Sequence, residues 1–397
     1  MSEATLNAAR PTTVEDIVRY CEDLYNDLEL NAVKAWKERH GAKAIGFMPI
    51  YVPREIIHAA GMLPVGIMGA GDNLEIIRGD AYYQSYICHI PRSTIELGVS
   101  GRLDCLDGML FPAICDVIRN LSGMWQLMFK DKYVRYMDFP QNFRAGIGGE
   151  FYLHDLRAFA ADLGRLAGRE IGDDALRASI GLYNENRRAV ESLYEMRARA
   201  PHLVPTYELY LLMRAANLLE VSEHTRLVGD YLAAAKSHPR REVDNIRVVV
   251  TGVFCEQPPL GLIRALEQSG CYVVADDWVL GARYIRGDVA ADGDPLRALC
   301  DAYVERGTPT SSRYEEGTDK GRYLIDQVRA CRAEGVIFAS PSFCDPALLE
   351  RPMLQRALAA ESIPYTSFKY SENSGQYQVI KEQTGTFADS IKLWGTA

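Results

Sequence analysis

The sequence has no run approaching the roughly 18 consecutive apolar residues that a membrane-spanning helix needs. Its opening, MSEATLNAARPTTVED, carries neither a basic n-region nor an apolar h-region. A cytoplasmic protein with no membrane association is the expectation. There is no G-x-x-x-x-G-K-[ST] stretch, so the chain offers no P-loop for nucleotide phosphates. There is no Cys-x-x-Cys pair either, which counts against a zinc ribbon or a thioredoxin-type redox site. Positive charge is also short, with 44 Lys and Arg against 53 Asp and Glu and a formal net charge of −9. That balance disfavours nonspecific contact with nucleic acid or an anionic membrane, because both draw on clustered Lys and Arg.

What is present fits a large globular protein. At 397 residues the chain exceeds one ordinary core, and its hydrophobic (48%) and charged (24%) fractions suit two or more buried cores. Nine cysteines in a chain without a secretory signal are not expected to form a disulfide framework, since the cytosol keeps thiols reduced. They are core residues, metal ligands, or both.

RPTTVEDIVRYCEDLYNDLELNAVKAWKERHG reads as one helix, with Thr12 and Glu15 as a capping box, Ile17, Cys21, Leu24 and Leu28 at helical spacing, and Gly41 as the stop. KAIGFMPIYVPREIIHAAGMLPVGIMG then reads strand, helix from near Pro53, strand. DGMLF, CDVIRNLSGMWQLMFK and YVRYMDF continue that pattern, and an Ala, Leu, Glu and Arg-rich helical stretch follows. NIRVVVTGVFCEQPPLGLIRALEQSGCYVVADD restarts strand, helix, strand, and EGVIFASPSFCDPALLERPMLQRALAAESIPYTSFKYS repeats it. The expected fold is α/β, with two open parallel-sheet domains of the Rossmann or flavodoxin-like kind joined by a helical connector. The expected boundaries are an N-terminal helical segment at 1–41, a first α/β domain at 42–165, the connector at 166–243 and a second α/β domain at 244–397.

Two phrases match across more than half the chain. FPAICD (111–116) and SPSFCD (340–345) each follow an apolar run, reach a proline that cannot extend a strand, and place a cysteine three residues later beside an aspartate. Cys115 and Cys344 are therefore expected on loops beyond strand ends, where open α/β sheets bind ligands. Pro53-x-x-Ile56-Ile57-x-Ala59 and Pro259-x-x-Leu262-Ile263-x-Ala265 echo one another similarly, and a pseudo-repeat would make the two cysteine loops equivalent.

Periodicity sorts the other cysteines. Cys331 and Cys300 fall on apolar helix faces, and Cys271 and Cys105 begin or precede strands, so these read as packing residues, as does Cys21. Cys88, Cys115, Cys255 and Cys344 remain on loops or helix starts. A thiolate at a helix N-terminus is favoured by the macrodipole, and soft thiolates select zinc, copper(I) or iron–sulfur clusters.

YVPREIIHAAGMLPV, CHIPRSTIEL, LDGMLFPAICDVIRNLSGMW, VTGVFCEQPPLGLIRALEQSGCYVVADD and SPSFCD occur in the order found in the benzoyl-CoA reductase and 2-hydroxyacyl-CoA dehydratase family. The resemblance covers nearly the whole chain, and the ending GQYQVIKEQTGTFADSIKLWGTA is most similar to the smaller substrate-side subunit of the ATP-dependent reductases. It implies a [4Fe–4S] cluster between two α/β domains, held by Cys88, Cys115 and Cys344; Cys255 stands where the family shares no ligand, and is a local extra ligand, a thiol beside the cluster or a packing residue. It also implies a homologous larger subunit and two activator-like subunits that hydrolyse ATP, which is not bound here. Reduced ferredoxin would be the electron donor and an aromatic acyl-CoA the substrate, reduced to a cyclic diene. The alternatives are a 2-hydroxyacyl-CoA dehydratase subunit and a non-catalytic electron-relay or scaffold subunit. Proximity makes His89 and Glu256 candidate proton donors, against plain structural or solvated roles. Around the cluster, Asp116 and Asp345 are expected to cap their helices and Arg119 to pair with one of them. His58 reads as structural.

Overall fold

The computed structural model describes residues 11–84, 86–252, 258–313, 320–371 and 377–394. The first helical stretch is two helices, α1 (Val14–Tyr25) and α2 (Asn31–His40), where the sequence suggested one. Asp27 explains the break: its carboxylate accepts the Ala32 amide at 2.9 Å and the Asn31 side chain at 2.8 Å, capping a new helix rather than continuing the old one. The first helix is capped by Thr13, not Thr12, through the Asp16 amide at 3.2 Å. Ile17, Cys21 and Leu24 form its buried face, while Leu28 lies in the break.

Two four-stranded sheets follow, and every pairing in both is parallel. The first comprises β1 (Ala44–Phe47), β2 (Leu63–Gly66), β3 (Gly108–Pro112) and β4 (Tyr133–Met137) in the order β2-β1-β3-β4. Its helices are α3 (Arg54–Ala59), α4 (His89–Val99) and α5 (Asp116–Met128). Next come α6 (Glu150–Ala167), α7 (Asp173–Arg199), α8 (Thr206–Ala215) and α9 (Val221–Ser237). The second sheet comprises β5 (Ile246–Thr251), β6 (Cys271–Asp276), β7 (Gly335–Pro341) and β8 (Tyr365–Tyr370), ordered β6-β5-β7-β8. The helices of this half of the chain are α10 (Leu260–Gln268), α11 (Pro295–Arg306), α12 (Lys320–Ala330), α13 (Asp345–Ala360) and α14 (Tyr377–Trp394).

The two orders are the same when strands are counted from each sheet's first, so the repeat read from the phrases is also a repeat of topology. β3 and β7 are buried along their whole length, which is why they read as continuous apolar runs without alternation. Each ends at the proline in second place in its phrase, Pro112 and Pro341. Each also begins with a glycine that allows close approach. A Cβ on Gly108 would lie 2.7 Å from the Tyr133 carbonyl, and one on Gly335 would lie 2.7 Å from the Phe387 ring.

The helical layer fastens both sheets. α7 reaches the first half through Arg187 and Glu55 of α3 (2.6 Å) and the second through Arg197 and Asp276 of β6 (2.6 Å, both side chains fully buried). Side chains of α1, α8 and α9 share a core with the second sheet. The segment between β6 and α12 crosses back, and Leu280, Tyr284, Leu299 and Tyr303 join the first sheet's core. No helix among the described residues is long and apolar enough to cross a membrane.

Candidate functional site

In an open sheet of this order the chain reverses direction across the gap between its first and third strands, and ligands bind beyond the strand ends there. Here those gaps are β1/β3 and β5/β7. The loop after β3 carries Cys115 and the loop after β7 carries Cys344. Each cysteine is the N-cap of the helix that follows, Cys115 for α5 and Cys344 for α13. Cys88 is likewise the N-cap of α4. All three line one cavity of about 630 Å³, walled also by Met48 and Pro49 from beyond β1. The twin phrases thus face one another across the two halves, with three helix N-termini around them.

The electrostatics support that facing. Burial raises the Cys115 thiol pKa; the Val117 and Ile118 amides in the first turn pull it back, and Asp116 and, from the other half, Asp345 add to the rise. Tyr83 stands by both first-half thiols. Burial raises its pKa, and Cys115 and Cys88 raise it further. Its hydroxyl donates to the Val117 carbonyl at 3.1 Å, tying the Cys88 segment to the first turn behind Cys115.

Cys88 and Cys115 are half-buried and Cys344 is 7% exposed. His89 opens α4 and is buried. Asp116 and Asp345 are not the caps expected of them: they occupy the first helical position after the capping cysteine and are exposed. Among the ion pairs of the described residues, none joins Arg119 to either aspartate, and all three side chains are exposed. Cys255 and Glu256 lie outside the described residues. His58 is structural as expected, with Nδ1 2.9 Å from the Ser179 hydroxyl and Nε2 3.3 Å from Glu220. Cys21, Cys105, Cys271, Cys300 and Cys331 do not line the cavity. Burial pushes the Cys271 and Cys300 thiols up to about 11, as suits packing residues.

Sequence reasoning missed Tyr83, Lys320 and Glu350. The last two form a 2.6 Å ion pair whose side chains are 13% and 16% exposed, and both line the cysteine cavity. They also line a second cavity, of about 300 Å³, at the carboxyl ends of β5 and β6. The only signal was positional: Lys320 is the first described residue of the helix before β7, and Cys88 caps the helix before β3.

Among the described residues no three His, Cys, Asp or Glu side chains close on a point as a single-ion site requires. The three cysteines instead surround a volume with room for a group of several atoms, and they are the residues that could hold one. Their soft donors, set at helix N-termini, are of the type that iron–sulfur groups take.

A family model described as 2-hydroxyglutaryl-CoA dehydratase, D-component, matches residues 49–391. The chain belongs to that family. It is 58% identical over 381 residues to the C-subunit of benzoyl-CoA reductase from Thauera aromatica, covering 96% of this chain and 99% of the relative. It is 29% identical to the beta subunit of (R)-2-hydroxyglutaryl-CoA dehydratase of Acidaminococcus fermentans, covering 88% and 93% of the two chains. It is 25% identical to the beta subunit of (R)-phenyllactyl-CoA dehydratase of Clostridium sporogenes, covering 89% and 93%. The resemblance read from the motifs, and its tilt toward the smaller reductase subunit, agree with these matches.

Proposed function

We propose that this D-component chain is the smaller substrate-side subunit of an ATP-dependent benzoyl-CoA reductase, and that Cys88, Cys115 and Cys344 hold a [4Fe–4S] cluster in it. The observation that carries the reading is the meeting of three capping cysteines from both halves at one cavity. The 58% identity to a reductase subunit, against 29% and 25% to dehydratase subunits, favours reduction over dehydration.

When bound, such a group supplies low-potential electrons one at a time. The chain's own residues hold it and keep water out. The α4, α5 and α13 N-termini favour thiolates at Cys88, Cys115 and Cys344. Ile114 and Ile118, both buried, close the wall behind Cys115. Tyr83 keeps the Cys88 segment against α5. His89, buried beside Cys88, does not line the cavity, so its place fits a structural role better than proton delivery. The remaining parts of the reaction fall to partners: a homologous larger subunit, two ATP-hydrolysing activator-like subunits and reduced ferredoxin. Two electrons and two protons then convert an aromatic acyl-CoA to the cyclic diene thioester.

The family model and the two dehydratase beta subunits sustain a second reading, water elimination from a 2-hydroxyacyl-CoA. The anaerobically purified complex separates them. A reductase consumes two electrons per product with benzoyl-CoA and ATP. A dehydratase turns over a 2-hydroxyacyl-CoA with only catalytic electrons, and that result would overturn the proposal. A relay or scaffold subunit would show iron in this chain whose spectrum is indifferent to any acyl-CoA.

A further inference from the structure

We infer that Lys320, paired with Glu350, sets the charge of the cysteine cavity and thereby the reduction potential of the group that Cys88, Cys115 and Cys344 hold. The inference rests on the iron–sulfur reading above and adds a residue to it.

The repeat supplies the first argument. Cys115 and Cys344 occupy equivalent loops, after β3 and β7. Cys88 is the N-cap of the helix before β3, and Lys320 is the first described residue of the helix before β7. Where the first half offers the cavity a thiol, the second half offers an ammonium.

The second argument is the charge of the lining. The charged side chains on the cavity are Asp116, Lys320, Asp345 and Glu350, so among the described lining residues Lys320 alone is a fixed cation. Asp116 and Asp345 are exposed and screened by water, whereas Lys320 and Glu350 are 13% and 16% exposed. Charges so far out of solvent act over longer distances than exposed ones. An added electron near them is stabilised by the ammonium and opposed by the carboxylate.

The third argument is rigidity. Lys320 Nζ donates to Glu350 Oε1 at 2.6 Å and to the Thr310 carbonyl at 2.7 Å. The Thr310 hydroxyl bonds the Tyr51 hydroxyl, which also lies 3.1 Å from the Ser312 hydroxyl. Tyr51 follows Met48 and Pro49 of the cavity wall, so the ammonium is fixed to both halves. Glu350 is on α13, the helix Cys344 caps. A residue held this way keeps its charge at one place, as potential tuning by surrounding groups requires.

The experiment is a redox titration followed by electron paramagnetic resonance, on the anaerobically purified complex, with iron counted in each sample. Lys320→Met is expected to shift the midpoint potential down and Glu350→Gln to shift it up, with the double variant Lys320→Met/Glu350→Gln returning toward wild type and all keeping their iron. An ion pair that only braced two helices would leave the potential where it was in both single variants, or strip iron from both alike; either result overturns the inference and leaves the cluster reading intact. A wild-type complex whose copy of this chain holds no iron overturns the cluster reading, and the inference falls with it.

Discussion

The two halves share strand order and a cysteine phrase, yet they build their sides of the cavity differently. Cys115 caps α5 from extended backbone (φ −165°, ψ 168°), with buried Ile114 before it. Cys344 caps α13 from a bent backbone (φ −85°, ψ 85°), and the residue before it, Phe343, is in the left-handed region (φ 66°) and 51% exposed. The first half adds a second thiol, Cys88, and a tyrosine; the second adds Lys320 and Glu350. Duplicated topology therefore fixes where loops fall, while the residues around them divide the chemistry: thiols largely from one half, the shielded charge pair from the other.

The sharpest way to test whether α7 joins the halves equally is to remove its two arginines in turn. Arg197→Met leaves Asp276 fully buried with one of its charge partners gone, and the loss is expected to be about 3–5 kcal/mol in a denaturant titration. Arg187→Met removes a pair that is 11% and 3% exposed and is expected to cost less. Equal losses would contradict the asymmetry.

A second test concerns the helical layer between the halves. His224 is buried, bonded to Asn186 of α7 and the Leu212 carbonyl of α8, and burial lowers its pKa to about 4. The unfolded chain, near the ordinary value of about 6.5, binds a proton that the folded chain refuses. The histidine's contribution is therefore present above that value and is lost as pH falls from about 6.5 toward 4, by about 3 kcal/mol. Stability measured against pH should fall through that window in the wild type and more gently in His224→Gln.

The smallest effects sit beside the two phrase cysteines and should have opposite signs. Ile114→Ala removes buried side chain and is expected to destabilise by about 2 kcal/mol or somewhat more. Phe343→Gly relieves a left-handed backbone at an exposed position and is expected to stabilise by about 1 kcal/mol. Thermal unfolding of both variants decides it, and the same sign in both would break the contrast drawn between the loops.

Much of this is legible in the sequence. Continuous apolar runs bounded by glycine and proline marked β3 and β7, because a strand buried on both faces has no polar alternation and cannot continue through proline. Helical spacing marked Cys300 as packing, and Cys21 too once its helix was shortened. The break at Asp27 was hidden because apolar spacing persists across it while a side-chain cap competes with the helix. The caps were misassigned because aspartate is the usual capping residue, and here the thiol holds that position and the aspartate follows. Lys320 and Glu350 were invisible because an ion pair between two helices leaves no periodic trace; only the repeat locates one of them.

The central claim is that the two phrases make one site. Iron and acid-labile sulfide, counted in the anaerobically purified complex with wild type, Cys115→Ala, Cys344→Ala and the packing control Cys271→Ala in this chain, test it directly. The account predicts that each of the first two variants loses this chain's whole complement of iron and sulfide, while the control, whose cysteine begins β6 away from the cavity, keeps it. Wild-type iron in either phrase variant would contradict it.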